Sequence, residues 1–208
     1  MARGLLCDRA IMELMSSPAR KATAADLLAT YGEDSRVEII HGEMLEKAMG
    51  RIAHSIPQAG IAIALGRRFA RKVSGRWPGG WRLVPEVHVQ YETDEVFCHD
   101  LCGFRRDLHP ELPNTWPCHV RPDWVCELLS PNHEKRDLHD KWWVLHRAKV
   151  PHYWIVNPEE KVLQVHRWDP AGYICVLTAT AGSVIRPEPF DAVELRANVL
   201  FGDEDDDE

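Results

Sequence analysis

The sequence contains no apolar run that approaches the roughly 20 residues a helix needs to cross a bilayer. A signal-peptide pattern is missing too, because Leu5 and Leu6 are followed at once by Cys7, Asp8 and Arg9. The six cysteines lack the spacing of a disulfide framework, and they stand at positions 7, 98, 102, 118, 126 and 175. Together these absences predict a cytoplasmic protein with free thiols and no membrane partner.

Net positive charge is also missing. The formal charge of −7 at pH 7 argues against broad, charge-driven binding to nucleic acid. The terminal run 203–208 supplies six of the negative charges, so the remainder of the chain is nearly neutral. Such a run predicts a solvated, disordered tail; a DNA-mimicking or self-shielding role is the alternative.

Length and composition predict one domain. A chain of 208 residues can bury a full core but is too short for two ordinary domains. Its charged fraction of 27% and hydrophobic fraction of 45% are typical of globular proteins. We expect an N-terminal extension over residues 1–20, a single domain over 21–202 and the acidic tail over 203–208.

Hydrophobic periodicity predicts an α/β domain of the α+β kind, with a mixed central sheet flanked by helices. Helices are expected after Thr23 as N-cap up to Gly32, over about 52–73 and over about 134–149. The regular part of the second is expected to start near Pro57, with His54 on the first turn or just before it. Strands are expected over 36–40, 43–47, 81–91, 95–104, 123–129, 152–156, 161–168 and 173–178.

The segment 123–129, between Pro122 and Pro131, predicts a buried central strand, because its apolar run is too short for a helix. Glu127 is the anomaly in this strand. A carboxylate in apolar surroundings costs roughly several kcal/mol unless a cation or hydrogen-bond donors compensate it. The sequence therefore predicts a positive partner for Glu127, with a metal ion as the leading candidate.

Asp100, in the strand expected over 95–104, is the second strand-borne carboxylate. Adjacent strands could bring Asp100 and Glu127 to one cleft, and two carboxylates suit Mg²⁺, which completes its shell with water and substrate phosphate. Asp123 is the competing ligand. It stands four residues before Glu127, about 13 Å away in a strand, so the two cannot hold one ion. Asp123 is interpreted as a strand-entry residue.

Short motifs follow one another in a fixed order along the chain. They are residues 22–28, 38–43, 78–81, 85–88, 100–106, 122–131 and 150–158, together with His54, Asp137 and Lys141. The segment 122–131 reads Pro-Asp-Trp-Val-Cys-Glu-Leu-Leu-Ser-Pro, and 150–158 reads Val-Pro-His-Tyr-Trp-Ile-Val-Asn-Pro. This arrangement resembles the Uma-two family of restriction-endonuclease-like proteins over about residues 20–202.

The resemblance implies a core of the PD-(D/E)XK nuclease superfamily and a Mg²⁺-dependent endonuclease that acts on DNA. Asp100 and Glu127 take the positions of the two metal carboxylates, with Mn²⁺ as a substitute ion. The superfamily lysine two residues beyond Glu127 is replaced here by Leu129. Lys141 matches the lysine of the Uma-two family and takes the catalytic position instead.

Three further residues follow from the same resemblance. His54 is a catalytic candidate, and Glu38 and Glu86 are candidates for the rim of the cleft. The sequence also departs from the family, since His99 precedes Asp100 where proline is common. These departures keep a second interpretation open, in which a catalytically silent nuclease fold binds nucleic acid or a protein.

Simpler interpretations compete for several of these residues. Lys141 could form a surface ion pair with Asp137, four residues earlier on the predicted helix. Zinc is disfavoured at Cys98 and Cys102, because cysteines four apart in a strand lie about 13 Å apart.

Two residue pairs suggest binding surfaces. Arg105 and Arg106 could bind phosphate, although a solvated pair is the simpler interpretation. Trp142 and Trp143 cannot both face one core from a single helix, so they suggest the seam of a homodimer, or of a protein whose main role is oligomeric interaction.

Overall fold

A computed structural model describes residues 20–47, 51–71, 76–130 and 136–203. The predicted N-terminal extension lies outside these ranges except for Arg20, and the predicted acidic tail lies outside them except for Asp203. Within the described ranges, no helix is both long enough and apolar enough to cross a membrane.

Helices and strands alternate in a mixed order, which confirms the expected α/β class. The helices are α1 (Ala24–Tyr31), α2 (Ile52–Phe69), α3 (Lys141–Arg147) and α4 (Ala197–Leu200), and a π-helical turn, Arg136–Asp140, leads into α3. The strands are β1 (Val37–Ile40), β2 (Glu43–Glu46), β3 (Trp81–Glu92), β4 (Glu95–Arg105), β5 (Trp124–Leu128), β6 (His152–Asn157), β7 (Val162–Arg167), β8 (Ile174–Thr180), β9 (Val184–Ile185) and β10 (Leu195–Arg196).

Eight strands form one mixed sheet, whose main path runs β2-β1-β4-β5-β6-β7-β8. β3 pairs with β4 along nearly all of its length, and β4 also pairs with β1 and β5. The β5–β6 pair is parallel and the other pairs are antiparallel. β5 therefore lies in the middle of the sheet, as its apolar sequence predicted.

The sheet is covered on both faces. On one face Trp124 packs in a cluster with Leu65 of α2, and on the other Val125 packs in a cluster with Leu145 of α3. Successive residues of a strand point to opposite faces, so every residue of β5 is buried whichever way it points. Glu127 is consequently shielded from bulk water.

α1 begins and ends at the predicted residues. Asp26 accepts hydrogen bonds from the backbone N–H of Thr23 at 2.8 Å and from its hydroxyl at 2.7 Å, which fixes the first turn. The helix ends at Gly32, whose φ of +80° is readily adopted by glycine.

α2 begins at Ile52 and has His54 in its first turn, as the helical pattern allows, but its regular part starts earlier than the expected position near Pro57. The N–H groups of His54 and Ser55 both bond to the carbonyl of Arg51, which closes the first turn before the proline is reached. Pro57 then removes only one backbone hydrogen bond, and the helix continues through it.

The helix expected up to residue 149 ends at Arg147 and is less regular than predicted. Its first described residues form the π-helical turn, which rotates the side chains differently from an α-helix. Leu138 is 42% exposed and so is not part of the apolar stripe, whereas Lys141 is fully buried. The interpretation of Lys141 as a surface residue is therefore wrong.

Trp142 and Trp143 do not form one seam. The Trp142 ring packs within its own domain, 4.8 Å from the His166 ring and 5.0 Å from the Tyr173 ring between centroids. Trp143 is 50% exposed. The two side chains point in different directions because neighbouring positions on a helix do not share a face.

Candidate active site

Asp100 and Glu127 come together through the antiparallel pairing of β4 with β5. Leu101 lies opposite Cys126, so the carboxylates flank this pair on adjacent strands. Both side chains are completely buried. Asp100 Oδ2 also accepts a hydrogen bond of 2.8 Å from the backbone N–H of Leu128, which ties the first carboxylate to the strand of the second.

Lys47 lies between the two carboxylates. Its ammonium nitrogen is 2.7 Å from Asp100 Oδ1 and 3.5 Å from Glu127 Oε2. The same nitrogen donates to the carbonyl of Cys98 at 2.6 Å. The backbone N–H of Lys47 bonds to the carbonyl of Arg36, which holds the residue in line with the β1–β2 hairpin.

A second buried lysine contacts the other side of Glu127. Lys141 Nζ, from the first residue of α3, lies 3.3 Å from Glu127 Oε1 and 2.8 Å from Glu38 Oε1. Glu38 Oε1 in turn accepts the backbone N–H of Cys98 at 2.9 Å. Three carboxylates thus share two ammonium groups in an interior where an uncompensated charge is costly.

His99 fixes the orientation of Glu127. Its Nδ1 lies 2.6 Å from Glu127 Oε1, and its Nε2 lies 2.7 Å from the hydroxyl of Tyr91. His99 therefore engages Glu127 Oε1, and Glu127 Oε2 is left to contact Lys47, which also contacts Asp100.

His54 approaches Asp100 from the first turn of α2, with Nε2 3.5 Å from Asp100 Oδ2. One turn later, Gln58 donates to the carbonyl of Asp100 at 2.9 Å and to Glu86 Oε1 at 2.8 Å. Arg36 lies 3.3 Å from the same oxygen of Glu86. Gln58 therefore docks α2 against β4, and Glu86 lies at the margin of the cluster.

The charges of the cluster shift its pKa values in a consistent direction. Burial by itself raises the pKa of Glu127, but Lys141, Lys47 and His99 outweigh it, so this pKa lies well below its usual range. Burial likewise raises the pKa of Asp100, but Lys47 and His54 bring it below its ordinary value. Both groups are carboxylates at neutral pH.

The pKa of His54 shifts in the opposite direction. Burial lowers it, but the contact with Asp100 raises it more, so the net pKa is above the ordinary value. The histidine is therefore more readily protonated than a free imidazole, as expected for a cation held against a carboxylate.

The donor set suits a hard divalent cation that takes two carboxylates. Asp100 Oδ1 and Glu127 Oε2 are buried, and among the described residues the Lys47 ammonium group is the partner they share. Glu38 Oε2 is buried and accepts no hydrogen bond from the described residues. Across residues 20–47, 51–71, 76–130 and 136–203, no three His, Cys, Asp or Glu side chains are arranged around one ion position. Asp100 and Glu127 are the residues that could hold such an ion, since Mg²⁺ commonly takes one or two carboxylates and keeps several waters.

All four predicted catalytic candidates, Asp100, Glu127, Lys141 and His54, lie in this one cluster. Sequence reasoning missed Lys47 as a member and gave Glu38 too peripheral a place.

Glu38 carried a usable signal, since it is a lone carboxylate in the apolar strand Val37–Ile40, just as Glu127 is in β5. Lys47 carried none, because a lysine after a hairpin strand looks like a solvated residue.

The comparison with known families agrees with this architecture. Residues 24–199 match the family model described as "Uma2: Putative restriction endonuclease". The chain belongs to the Uma-two family. This Uma-two protein also shares the fold of a crystal structure from Anabaena variabilis ATCC 29413, described as "a putative nuclease belonging to DUF820".

That structural match has a TM-score of 0.66 and 19% sequence identity, and it covers 86% of this chain and 97% of the other. At this identity the likeness shows the fold alone. No curated protein matches the Uma-two chain.

Proposed function

We propose that this Uma-two protein is a Mg²⁺-dependent endonuclease that hydrolyses phosphodiester bonds in DNA. The observation that carries the proposal is the pair of buried oxygens, Asp100 Oδ1 and Glu127 Oε2, which both contact one ammonium group, that of Lys47. Two buried carboxylates that share one cation position are the arrangement expected at a cation-binding site.

Asp100 and Glu127 would hold the Mg²⁺ ion, for which Mn²⁺ could substitute. Bound there, the ion would polarise the phosphate and lower the pKa of the attacking water. His99 orients Glu127 for this role by occupying its other oxygen. Lys47 must leave the position between the two carboxylates when the ion is held.

Lys141 and His54 would supply positive charge to the reacting phosphate. Lys141 is held in place by Glu38 and Glu127, so its ammonium is already oriented before a substrate arrives. His54 is 8% exposed and its pKa is raised, so it can present a protonated imidazole to an incoming anion.

The route to the carboxylates passes Lys47 and His54. Asp100, Glu127 and Lys141 are fully buried, whereas the side chains of Lys47 and His54 are 10% and 9% exposed to solvent. DNA would therefore approach on this side of the cluster, where the first side chains it meets are those of Lys47 and His54.

The decisive experiment measures cleavage of supercoiled and linear DNA with Mg²⁺, with Mn²⁺ and with a chelator. Wild-type protein should cleave only with metal, and Asp100→Asn and Glu127→Gln should lose activity by at least about a hundredfold. Glu43→Gln is the matched control, because Glu43 is an exposed carboxylate on β2, away from the cluster. A preparation whose cleavage persists equally in Asp100→Asn and Glu127→Gln would contradict the proposal.

One observation favours a second function. Lys47 already supplies a cation to both carboxylates, and Leu129 stands where the superfamily places its lysine. A nuclease fold whose two carboxylates are neutralised by an internal lysine could bind nucleic acid or a protein without cleaving it. Titration calorimetry separates the two functions, because the silent protein would bind neither Mg²⁺ nor Mn²⁺ at Asp100 and Glu127.

A further inference from the structure

A separate cavity of about 770 Å³ opens at the other end of the central strands. Its walls come from the beginnings of β3 and β6, the end of β4 and the segment that precedes β5. Asp123 lines this cavity, and it lies four residues before Glu127, about 13 Å along the strand direction. The cavity and the carboxylate cluster are therefore different sites, and the volume is within the usual range for small-molecule pockets.

Four arginines line the cavity: Arg82, Arg105, Arg106 and Arg121. Main-chain carbonyls, rather than carboxylates, hold three of them in place. Arg82 donates to the carbonyls of His109 and Pro110, both at 2.5 Å.

Arg106 and Arg121 are held in the same way. Arg106 donates to the carbonyls of Trp81 and Ala70, both at 3.0 Å, and Arg121 donates to the carbonyl of Lys149 at 2.9 Å. A neutral acceptor orients a guanidinium group without cancelling its charge. Among the described residues, Arg105 is the one arginine of the four that pairs with a carboxylate, that of Asp107 at 2.5 Å.

The net charge of the residues that line the cavity is complementary to that of a dianion. Four arginines stand against Asp107 and Asp123, which leaves a formal charge of +2 with the histidines counted as neutral. The Asp123 carboxylate already has partners: it accepts a hydrogen bond of 2.8 Å from the backbone N–H of Arg105 and lies 3.2 Å from His109 Nε2. Arginine forks match the oxygens of phosphate, and a phosphate monoester carries close to two negative charges at neutral pH.

Most of the remaining wall is apolar, although His152 also lines it. Trp81, Leu108, Pro151 and Pro189 line the cavity next to the arginines. Inorganic phosphate would leave this apolar surface uncovered, whereas a phosphate attached to a flat organic ring would contact both kinds of wall.

We propose that this cavity binds a phosphate monoester attached to a ring the size of a nucleoside. A free nucleoside monophosphate and the 5′-phosphorylated end of a DNA strand both carry this group. Arg82, Arg106 and Arg121 bind the phosphate, and the apolar wall contacts the ring. The binding does not depend on a metal at Asp100 and Glu127.

Titration calorimetry of the full-length protein, in the presence of a chelator, tests the proposal with dAMP, deoxyadenosine and inorganic phosphate. The dAMP should bind at least about tenfold more tightly than either of the others, as expected when charged hydrogen bonds and apolar contacts act together. Short single strands with and without a 5′-phosphate then identify the source. Tighter binding of the phosphorylated strand indicates a DNA end, and binding of dAMP alone indicates a free nucleotide.

Two variants locate the binding. Arg121→Gln and Arg82→Gln should each weaken dAMP binding by at least about tenfold. Arg147→Gln is the matched control, since Arg147 is an exposed arginine on α3 that pairs with Glu92. Thermal melting checks folding, and Arg121, which is exposed, decides the question if Arg82→Gln does not fold. Equal binding of dAMP and deoxyadenosine, or an Arg121→Gln protein that binds dAMP like Arg147→Gln, would overturn the proposal.

Discussion

Lys47 Nζ lies 2.7 Å from Asp100 Oδ1, so a residue that follows the β1–β2 hairpin neutralises a carboxylate in the middle of β4. The contact is almost completely shielded from solvent, because the Lys47 side chain is only 10% exposed and Asp100 is fully buried. An ammonium group and a metal ion cannot occupy the same space between Asp100 and Glu127. Lys47 therefore competes with any cation that these two carboxylates bind.

This competition gives the first prediction. Lys47→Met should increase the affinity for Mg²⁺, because the ion no longer displaces an internal cation. The same variant should lose about 3–5 kcal/mol of unfolding free energy without metal, since the carboxylates keep less positive charge. Calorimetry and urea unfolding measure the two effects. Lys21→Met, which removes an exposed lysine paired with Asp94, should change neither.

Glu127→Gln should abolish binding of Mg²⁺ and Mn²⁺ by removing the charge that holds the ion. It should also lower the unfolding free energy by about 3–5 kcal/mol, because Lys47 and Lys141 lose a shared counter-ion. Calorimetry with thermal melting measures both. Undiminished metal affinity in the folded variant would remove Glu127 from the site.

Stability should depend on pH through the same carboxylate. The pKa of Glu127 is depressed in the folded protein, so the stability it provides is present above its unfolded pKa of about 4.3 and is lost as the pH falls toward the folded value. The difference in unfolding free energy between the wild type and Glu127→Gln should shrink as the pH is lowered below about 4. Urea unfolding between about pH 3 and pH 7 measures it, and a constant difference would contradict the assigned shift.

Tyr91→Phe should lower stability by about 1–3 kcal/mol, because it removes the hydroxyl that partners the buried Nε2 of His99. The free energy of Mg²⁺ binding should change by less than the free energy of unfolding, since His99 keeps its contact with Glu127. Tyr31→Phe is the control, as Tyr31 is 48% exposed. Urea unfolding of both variants checks the prediction, and equal stability of the two would contradict it.

A homodimer stays a prediction, because a two-fold pair would present two carboxylate clusters to one duplex. Trp143 is the more exposed of the two tryptophans, since the Trp142 ring packs against His166 and Tyr173. Light scattering at micromolar concentration should give twice the monomer mass of 23.8 kDa. If Trp143 alone forms the contact, Trp143→Ser should shift the mass toward that of the monomer.

Local sequence was sufficient for much of the fold. The limits of α1 follow from Thr23, Asp26 and Gly32, and the burial of β5 follows from its apolar run between prolines. The errors arose where local rules give way to neighbouring contacts. Pro57 is tolerated because the turn before it closes on Arg51, and Leu138 is exposed because a π-helical turn alters the helical rotation.

The sequence by itself determined that Asp100 and Glu127 are strand-borne carboxylates, and its likeness to the Uma-two family joined Lys141 and His54 to them. A lone charge in an apolar strand is visible in sequence because burial of that charge is costly. Only the tertiary structure decided which cations compensate it. Lys47 reaches Asp100 through the pairing of β1 with β2 and β4, and Arg82, Arg106 and Arg121 meet at one cavity from three distant segments. Such partners depend on strand pairing and register. The sequence pattern does not show where the charged end of a long, flexible lysine or arginine side chain will lie.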